Sequence, residues 1–403
     1  MYHGKPLKKH SCFIGVLLCI MTNTLSIVYH PPRIVMSTNS TYRDSDRTRE
    51  RGERKVRVLD ALAKGNCLSI EMVPPSRGGD LDALMRAMET IAPHNPSFVS
   101  VTDHPRGSAW ADSATGPCRV ALRTKPGTLG TAVALRDAFD ITTVPHIIGR
   151  MQRRLDVEDL LIDLHYAGFH DIFAVMGDER YTPEALRVPD ATKPTEGLGP
   201  ADIFVSARGP GPANSHAESS LSSEGYCHAV DLVAHIMQLN RGEYTPPSEG
   251  RPTHFVVGVA AYPQKHFAAP NLETDIQHLI EKIQAGASFV ITQMIFEARP
   301  YFELVAKLRK AGIAVPVLPG IKPLLKASSL ETIPRNFFVD IPSVLIAAMS
   351  EAKSPAEERA VGIEWMIKLC QELLEGGAPG LHFFTMGKGA GTRAILDALF
   401  GTP

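Results

Sequence analysis

The sequence predicts an α/β fold: a closed (β/α)8 barrel of the TIM type, with a flexible N-terminal extension and a long insertion after the fourth strand. Three observations lead there. From residue 66 onward, short apolar segments alternate with stretches whose apolar residues recur at three- and four-residue spacing, the pattern of βαβ units and a parallel sheet. There are eight such strands, and without the extension and the insertion about 300 residues remain, near the size of an ordinary barrel. Polar and ionisable residues gather where the strands end, the rim on which such barrels carry their active sites.

The extension, 1–55, is set apart by composition, since alanine is absent from residues 1–60 and frequent afterwards. Lys5, Lys8 and Lys9 precede an apolar run at 12–21 that resembles the start of a signal peptide but lacks a small-residue cleavage site, and Thr22-Asn23-Thr24 ends it too early for a membrane span. Translation from Met36, with the preceding residues a leader, is the rival reading. Residues 43–57 mix seven basic with four acidic side chains and read as a solvated arm. The barrel domain is then 56–403. Its strands are expected at 67–73, 98–102, 142–147, 171–176, 254–260, 289–294, 315–318 and 381–385. Helices are expected at 81–91, 157–166, 228–239, 272–285, 301–310, 356–374 and 392–400. Segment 179–225, rich in Gly, Pro and Ser around Gly209-Pro210-Gly211-Pro212, reads as a surface excursion.

Composition narrows the function. Basic and acidic residues number 42 and 43, so a protein that binds nucleic acid by neutralising phosphates is disfavoured. Six cysteines without a C-x-x-C pair argue against a zinc knuckle or a disulfide scaffold and for reduced thiols in the cytoplasm. The histidines show no H-E-x-x-H, and no metal is expected. A membrane partner is not expected, and homo-oligomerisation is left open. The run Gly387-Lys388-Gly389-Ala390-Gly391-Thr392 opens a helix after the last strand and could cradle a phosphate, although it is neither a P-loop nor a dinucleotide fingerprint.

Alternation selects the rim residues. In the first strand Leu68, Ile70 and Met72 alternate with Ser69 and Glu71, which points Glu71 into the barrel mouth. Ser100 and Thr102 repeat the arrangement in the second strand. The third ends in Val144-Pro145-His146, the fourth in Gly177-Asp178, the fifth in Ala261-Tyr262-Pro263 with His266 beyond, and the sixth in Thr292-Gln293. Any one of these has a bland explanation, such as an aspartate capping the next helix. Their common location favours a site.

The blocks Ser69-Ile70-Glu71-Met72-Val73-Pro74-Pro75, Phe98-Val99-Ser100-Val101-Thr102, Pro145-His146, Gly177-Asp178, Ala260-Ala261-Tyr262-Pro263, Ile291-Thr292-Gln293, Pro319-Gly320-Ile321 and Leu381-His382-Phe383-Phe384-Thr385 resemble methylenetetrahydrofolate reductase, in family order over about residues 56–400. The resemblance implies a bacterial-type catalytic barrel, without an appended regulatory domain. Its activity would be that of an oxidoreductase carrying electrons from NAD(P)H through FAD to 5,10-methylenetetrahydrofolate, in the one-carbon supply to methionine. Carried over by position, Glu71 is the general acid, Asp178 the acidic group between flavin and pterin, and Gln293 the amide that holds folate. Thr102, His146, Gly177, Asp178, Ala229, Tyr262, His266, Asp275 and Lys282 fall on positions that grip FAD. Asp275 and Lys282, seven residues apart on one expected helix, share a face.

Three positions depart from the pattern. Met176 stands where an arginine is usual, His228 stands among the cofactor-binding positions where a tyrosine is usual, and Lys388 replaces an arginine at the substrate's carboxylate. Lysine keeps that charge without the bidentate fork. Two alternatives accompany the implied activity: a pterin-dependent methyltransferase barrel without FAD, and an inactive flavin-binding partner subunit.

Overall fold

The computed structural model describes residues 57–113, 116–123, 125–177 and 225–403, so the extension, Asp178 and nearly all of the 179–225 excursion lie outside the described residues. Eight parallel strands close into a barrel: β1 (Cys67–Met72), β2 (Phe98–Val101), β5 (Thr143–Ile148), β6 (Asp171–Val175), β9 (Val256–Ala261), β10 (Ala287–Ile295), β11 (Val317–Ile321) and β12 (Gly380–Phe384). Around the barrel the order is β1, β12, β11, β10, β9, β6, β5, β2. Every strand expected from the sequence is present, with ends shifted by a few residues. Buried on both faces, these strands need apolar side chains throughout, which is why they stood out.

The expected helices are also present: α2 (Asp82–Ile91), α4 (Arg154–Tyr166), α5 (Ala229–Asn240), α6 (Leu272–Gln284), α7 (Arg299–Lys310), α10 (Pro355–Glu375) and α11 (Gly389–Phe400). Side-chain caps fix some starts, as where Asn271 accepts from the Thr274 N–H at 2.8 Å ahead of α6. The sequence reading did not include α1 (Val58–Lys64), α3 (Thr128–Phe139), α8 (Ser329–Phe337) and α9 (Ser343–Glu351), nor the antiparallel hairpins β3–β4 (Arg106–Ser113 with Gly116–Arg123) and β7–β8 (Glu243–Tyr244 with Ser248–Glu249).

Apolar packing divides into two shells. The larger lies between the sheet and the surrounding helices. The smaller fills the barrel itself, where Phe98, Val144, Phe173, Phe289, Ile291 and Leu318 meet Val58, Ala61 and Leu62 of α1. Helix α1 is thus a plug inserted among the interior residues at the N-terminal end of the strands. Arg57, the last residue of the charged run read as a solvated arm, is tied down here: its Nε donates to Asp171 Oδ2 at 2.9 Å, at the foot of β6.

Candidate active site

Strand register builds the mouth from below. Ser69 pairs with His382 and Glu71 with Phe384, so the inward side chains of β1 and β12 stand in matched layers. In the lower layer the Ser69 hydroxyl and His382 Nδ1 share a 2.8 Å hydrogen bond, and burial pushes the His382 imidazole down to about 3, leaving it neutral. Glu71 lies one layer up, its strand end held by Thr385, whose hydroxyl donates to the Glu71 carbonyl at 2.8 Å. Its Oε2 stands 4.0 Å from His146 Nε2, too far for a hydrogen bond. Burial, reinforced by the His382 and His104 imidazoles, pushes His146 down to about 3.

Three polar atoms, Ser100 Oγ, Thr102 Oγ1 and His146 Nε2, are buried with no hydrogen-bond partner among the described residues. Buried polar groups are nearly always paired, so these atoms, carried on β2, the residue after it and β5, are available to a polar ligand at the mouth. Beside them the chain leaves β6 through Gly177, whose φ of 89° belongs to the left-handed region and whose added Cβ would lie 2.9 Å from Ile148 Cγ2. Arg150, just after β5, donates from Nε to the Gly177 carbonyl at 3.2 Å and from its backbone N–H to Met176 O at 2.9 Å. A guanidinium therefore adjoins Met176, supplied by the neighbouring strand.

A second group forms after β9. The Tyr262 and His266 rings meet edge to face at 4.5 Å, and Asp275 Oδ2 accepts the His266 N–H at 2.8 Å. Lys282 donates to the Ala260 carbonyl at 2.6 Å, and burial pushes its ammonium down to about 8 against the opposing pull of Asp275. Tyr262, Asp275 and Lys282 line one cavity with Ile276 and Leu279, as their shared helix face requires.

Gln293 owes its position to a bulge. Register between β10 and β11 shifts between Ile291 and Met294. The Thr292 hydroxyl takes over as acceptor for the Gly320 N–H at 2.9 Å. A Cβ at position 320 would collide with the Thr292 carbonyl and come within 2.6 Å of the Phe384 ring, so the close approach of the two strands depends on glycine. Gln293 then lines a groove with Tyr262, Pro263, Met294 and Phe338, its Oε1 accepting the Met294 N–H at 2.9 Å.

The remaining candidates lie further out. His228 is exposed at the N-terminus of α5, its backbone N–H bonded to Asp231 Oδ2 at 2.8 Å, and Ala229 is the first residue of that helix. Lys388 is exposed immediately before α11. The sequence reading missed Lys322, half-buried one residue beyond β11. Extending the alternation Leu318, Gly320, Lys322 past the strand end would have found it.

The methylenetetrahydrofolate reductase family model matches residues 56–196 and 197–400. The chain belongs to the methylenetetrahydrofolate reductase family. Among curated methylenetetrahydrofolate reductases, it is 26% identical over 349 residues to the probable NADPH enzyme of Caenorhabditis elegans, covering 86% of this chain and 44% of the relative. It is 25% identical over 351 residues to the probable NADH enzyme of Oryza sativa subsp. japonica, covering 84% of this chain and 49% of the relative. With the 5,10-methylenetetrahydrofolate reductase of Salmonella typhimurium it shares 29% identity over 182 residues, covering 41% of this chain and 61% of that protein. The chain spans about half the length of the first two of these methylenetetrahydrofolate reductases. Their names differ in the nucleotide, so kinship alone assigns none.

Proposed function

We propose that this chain reduces 5,10-methylenetetrahydrofolate to 5-methyltetrahydrofolate in the cytoplasm, with electrons from NAD(P)H passed through FAD, supplying methyl groups for methionine synthesis. The observation that carries this reading is the mouth itself, where Glu71 stands 4.0 Å from a neutral His146 among the orphaned hydroxyls of Ser100 and Thr102. These residues fit a flavin. Thr102 and His146 offer unsatisfied polar atoms, Gly177 lets backbone approach where a side chain could not, and Tyr262, His266, Asp275 and Lys282 provide a ring, a carboxylate and a cation along one wall. When bound, FAD supplies the redox chemistry, which side chains cannot perform.

The chain's own residues handle binding and protons. Methylenetetrahydrofolate accepts hydride only after its five-membered ring opens to a cationic 5-iminium, and opening needs a proton on the departing nitrogen. Glu71 is the inward carboxyl group that would deliver it, with its backbone carbonyl held by the Thr385 hydroxyl. Gln293 holds the folate from the β10 bulge, and Lys388 receives a substrate carboxylate at the rim. Asp178, which lies outside the described residues, would by the family resemblance stabilise the cation through its charge.

Purified protein should show a flavin absorbance band that bleaches anaerobically with NADH or NADPH and returns on adding methylenetetrahydrofolate. A colourless protein that does not take up FAD would defeat the reading and favour a flavin-free, pterin-dependent barrel.

A further inference from the structure

Position and alternation place a second titratable group beside Glu71. On β11, Leu318 belongs to the barrel interior and Gly320 faces Phe384, so the next residue of the same parity, Lys322, also turns inward. The ladders give its height. Ile321 is level with Phe383 and Phe384 with Glu71, so Lys322, one step past Ile321, stands in the layer of Phe384 and Glu71 across β12. Two strand spacings of about 4.8 Å each separate β11 from β1, a gap that a lysine and a glutamate close between them when both point inward. Lys322 makes no hydrogen bond or ion pair that would hold it elsewhere among the described residues.

We propose that Lys322 and Glu71 form one proton-sharing acid pair at the barrel mouth, with Lys322 acting through Glu71 to keep the proton-delivering carboxyl supplied at neutral pH. The inference rests on the reading of Glu71 as the acid and adds where its proton is stored. Burial pushes the Lys322 ammonium down to about 8, with Glu71 raising it and Lys388 lowering it further. A half-buried lysine coupled to a carboxyl titrates with it as a pair, which at pH 7 holds one proton. The other groups facing Lys322 do not compete for that proton. His382 and His146 are neutral, and Lys388 is exposed on the α11 side. From the outer layer, Glu358 of α10 accepts the Ala327 N–H at 2.8 Å and Arg359 donates to the Ala390 carbonyl at 3.1 Å.

The step balances without another reagent. Nζ passes a proton to a Glu71 carboxylate oxygen as Glu71 gives one to the departing substrate nitrogen, leaving a neutral amine, a carboxylate and an N–H. Water reprotonates the amine once product leaves. A lysine that only packed against the rim would leave the pH profile of this step unmoved.

Two measurements on the FAD-loaded full chain test the pair. Reoxidation of reduced protein by methylenetetrahydrofolate, followed by rapid mixing from pH 5.5 to 9.5, should hold steady up to about pH 8 and fall tenfold per unit above it. In K322M the falling limb should move at least one unit toward acid, about tenfold slower at pH 8 and near the wild-type rate at pH 5.5. K322R keeps the charge but cannot release a proton, and should be slower than K322M at pH 8. A limb that stays in place, or moves toward alkali, overturns the pair. The second measurement needs no turnover: NMR titration of carbon-13-labelled lysines, with Lys322 assigned by its loss in K322M, should give a midpoint near pH 8 that falls in E71Q. A midpoint near 10 that E71Q leaves unchanged overturns the pair even if the protein proves to be an active reductase. Failure of wild-type protein to be reoxidised at all would instead defeat the proposed function.

Discussion

Glu71 and His146 face each other at 4.0 Å from strands that are not neighbours, since β2 stands between β1 and β5. A hydrogen-bonded, protonated imidazole would hold Glu71 ionised. Here the imidazole is pushed down to about 3 by burial, so it offers the carboxyl no positive charge at neutral pH.

Replacing Glu71 with Gln keeps size and polarity and removes the proton. Flavin reduction by NAD(P)H, which needs no acid, should be nearly intact, whereas reoxidation by methylenetetrahydrofolate should slow by roughly 10²–10⁴-fold. Rapid mixing separates the two half-reactions. Reoxidation at the wild-type rate would remove Glu71 from the mechanism.

Thr102→Val tests whether the orphaned hydroxyl serves the cofactor. The apoprotein should lose no stability, because the hydroxyl has no partner to lose. FAD should bind about five- to tenfold more weakly, the worth of one neutral hydrogen bond of about 1 kcal/mol. Fluorescence titration of FAD into apoprotein, beside thermal melts, reads both. Weaker melting with unchanged affinity would assign the hydroxyl to the fold.

Gly320→Ala should damage two things at once. The new methyl group meets the Thr292 carbonyl and the Phe384 ring, so the β10 bulge must shift, at a cost of about 1–3 kcal/mol in denaturant unfolding. Because Gln293 is carried on that bulge, the KM for folate should rise as well. An alanine protein with wild-type stability would show that the strands approach less closely than described.

Acid should unfold the apoprotein by way of its buried histidines. His104 and His170 are pushed down to about 4, and His146 and His382 to about 3, in each case by burial first. Each therefore binds a proton more readily unfolded, where its pKa is about 6.5, so their contribution is intact above that value and is lost as pH falls toward 4. The melting temperature should be flat near pH 7–8 and decline below 6.5, with a shallower decline in His170→Gln. A melting temperature independent of pH between 7 and 4.5 would contradict these burials.

The barrel was legible because its strands are buried on both faces and its helices on one, leaving two clean periodicities. What escaped the reading was set by tertiary contact. Helix α1 has seven residues beside a charged run, too short for a periodic signal, and only the barrel's interior makes Val58, Ala61 and Leu62 core residues. The partnership of Arg57 with Asp171 spans 114 positions and has no local trace. Among the site residues, Glu71, His146 and Tyr262 were visible because they interrupt apolar strands. Lys322 was passed over because the seventh strand was ended at Leu318, four residues short of it. The bulge that aims Gln293 depends on the register of two strands, which composition does not encode.

Helix α1 also limits traffic. Among the described residues, Val58, Ala61 and Leu62 fill the lower end of the barrel among the interior rings, which leaves the rim that holds Glu71 as the way in. Under the proposed function, a hydride donor and a pterin sharing that rim would be expected to alternate, each leaving before the other arrives. Excess of either should therefore slow turnover by occupying the doorway of its counterpart.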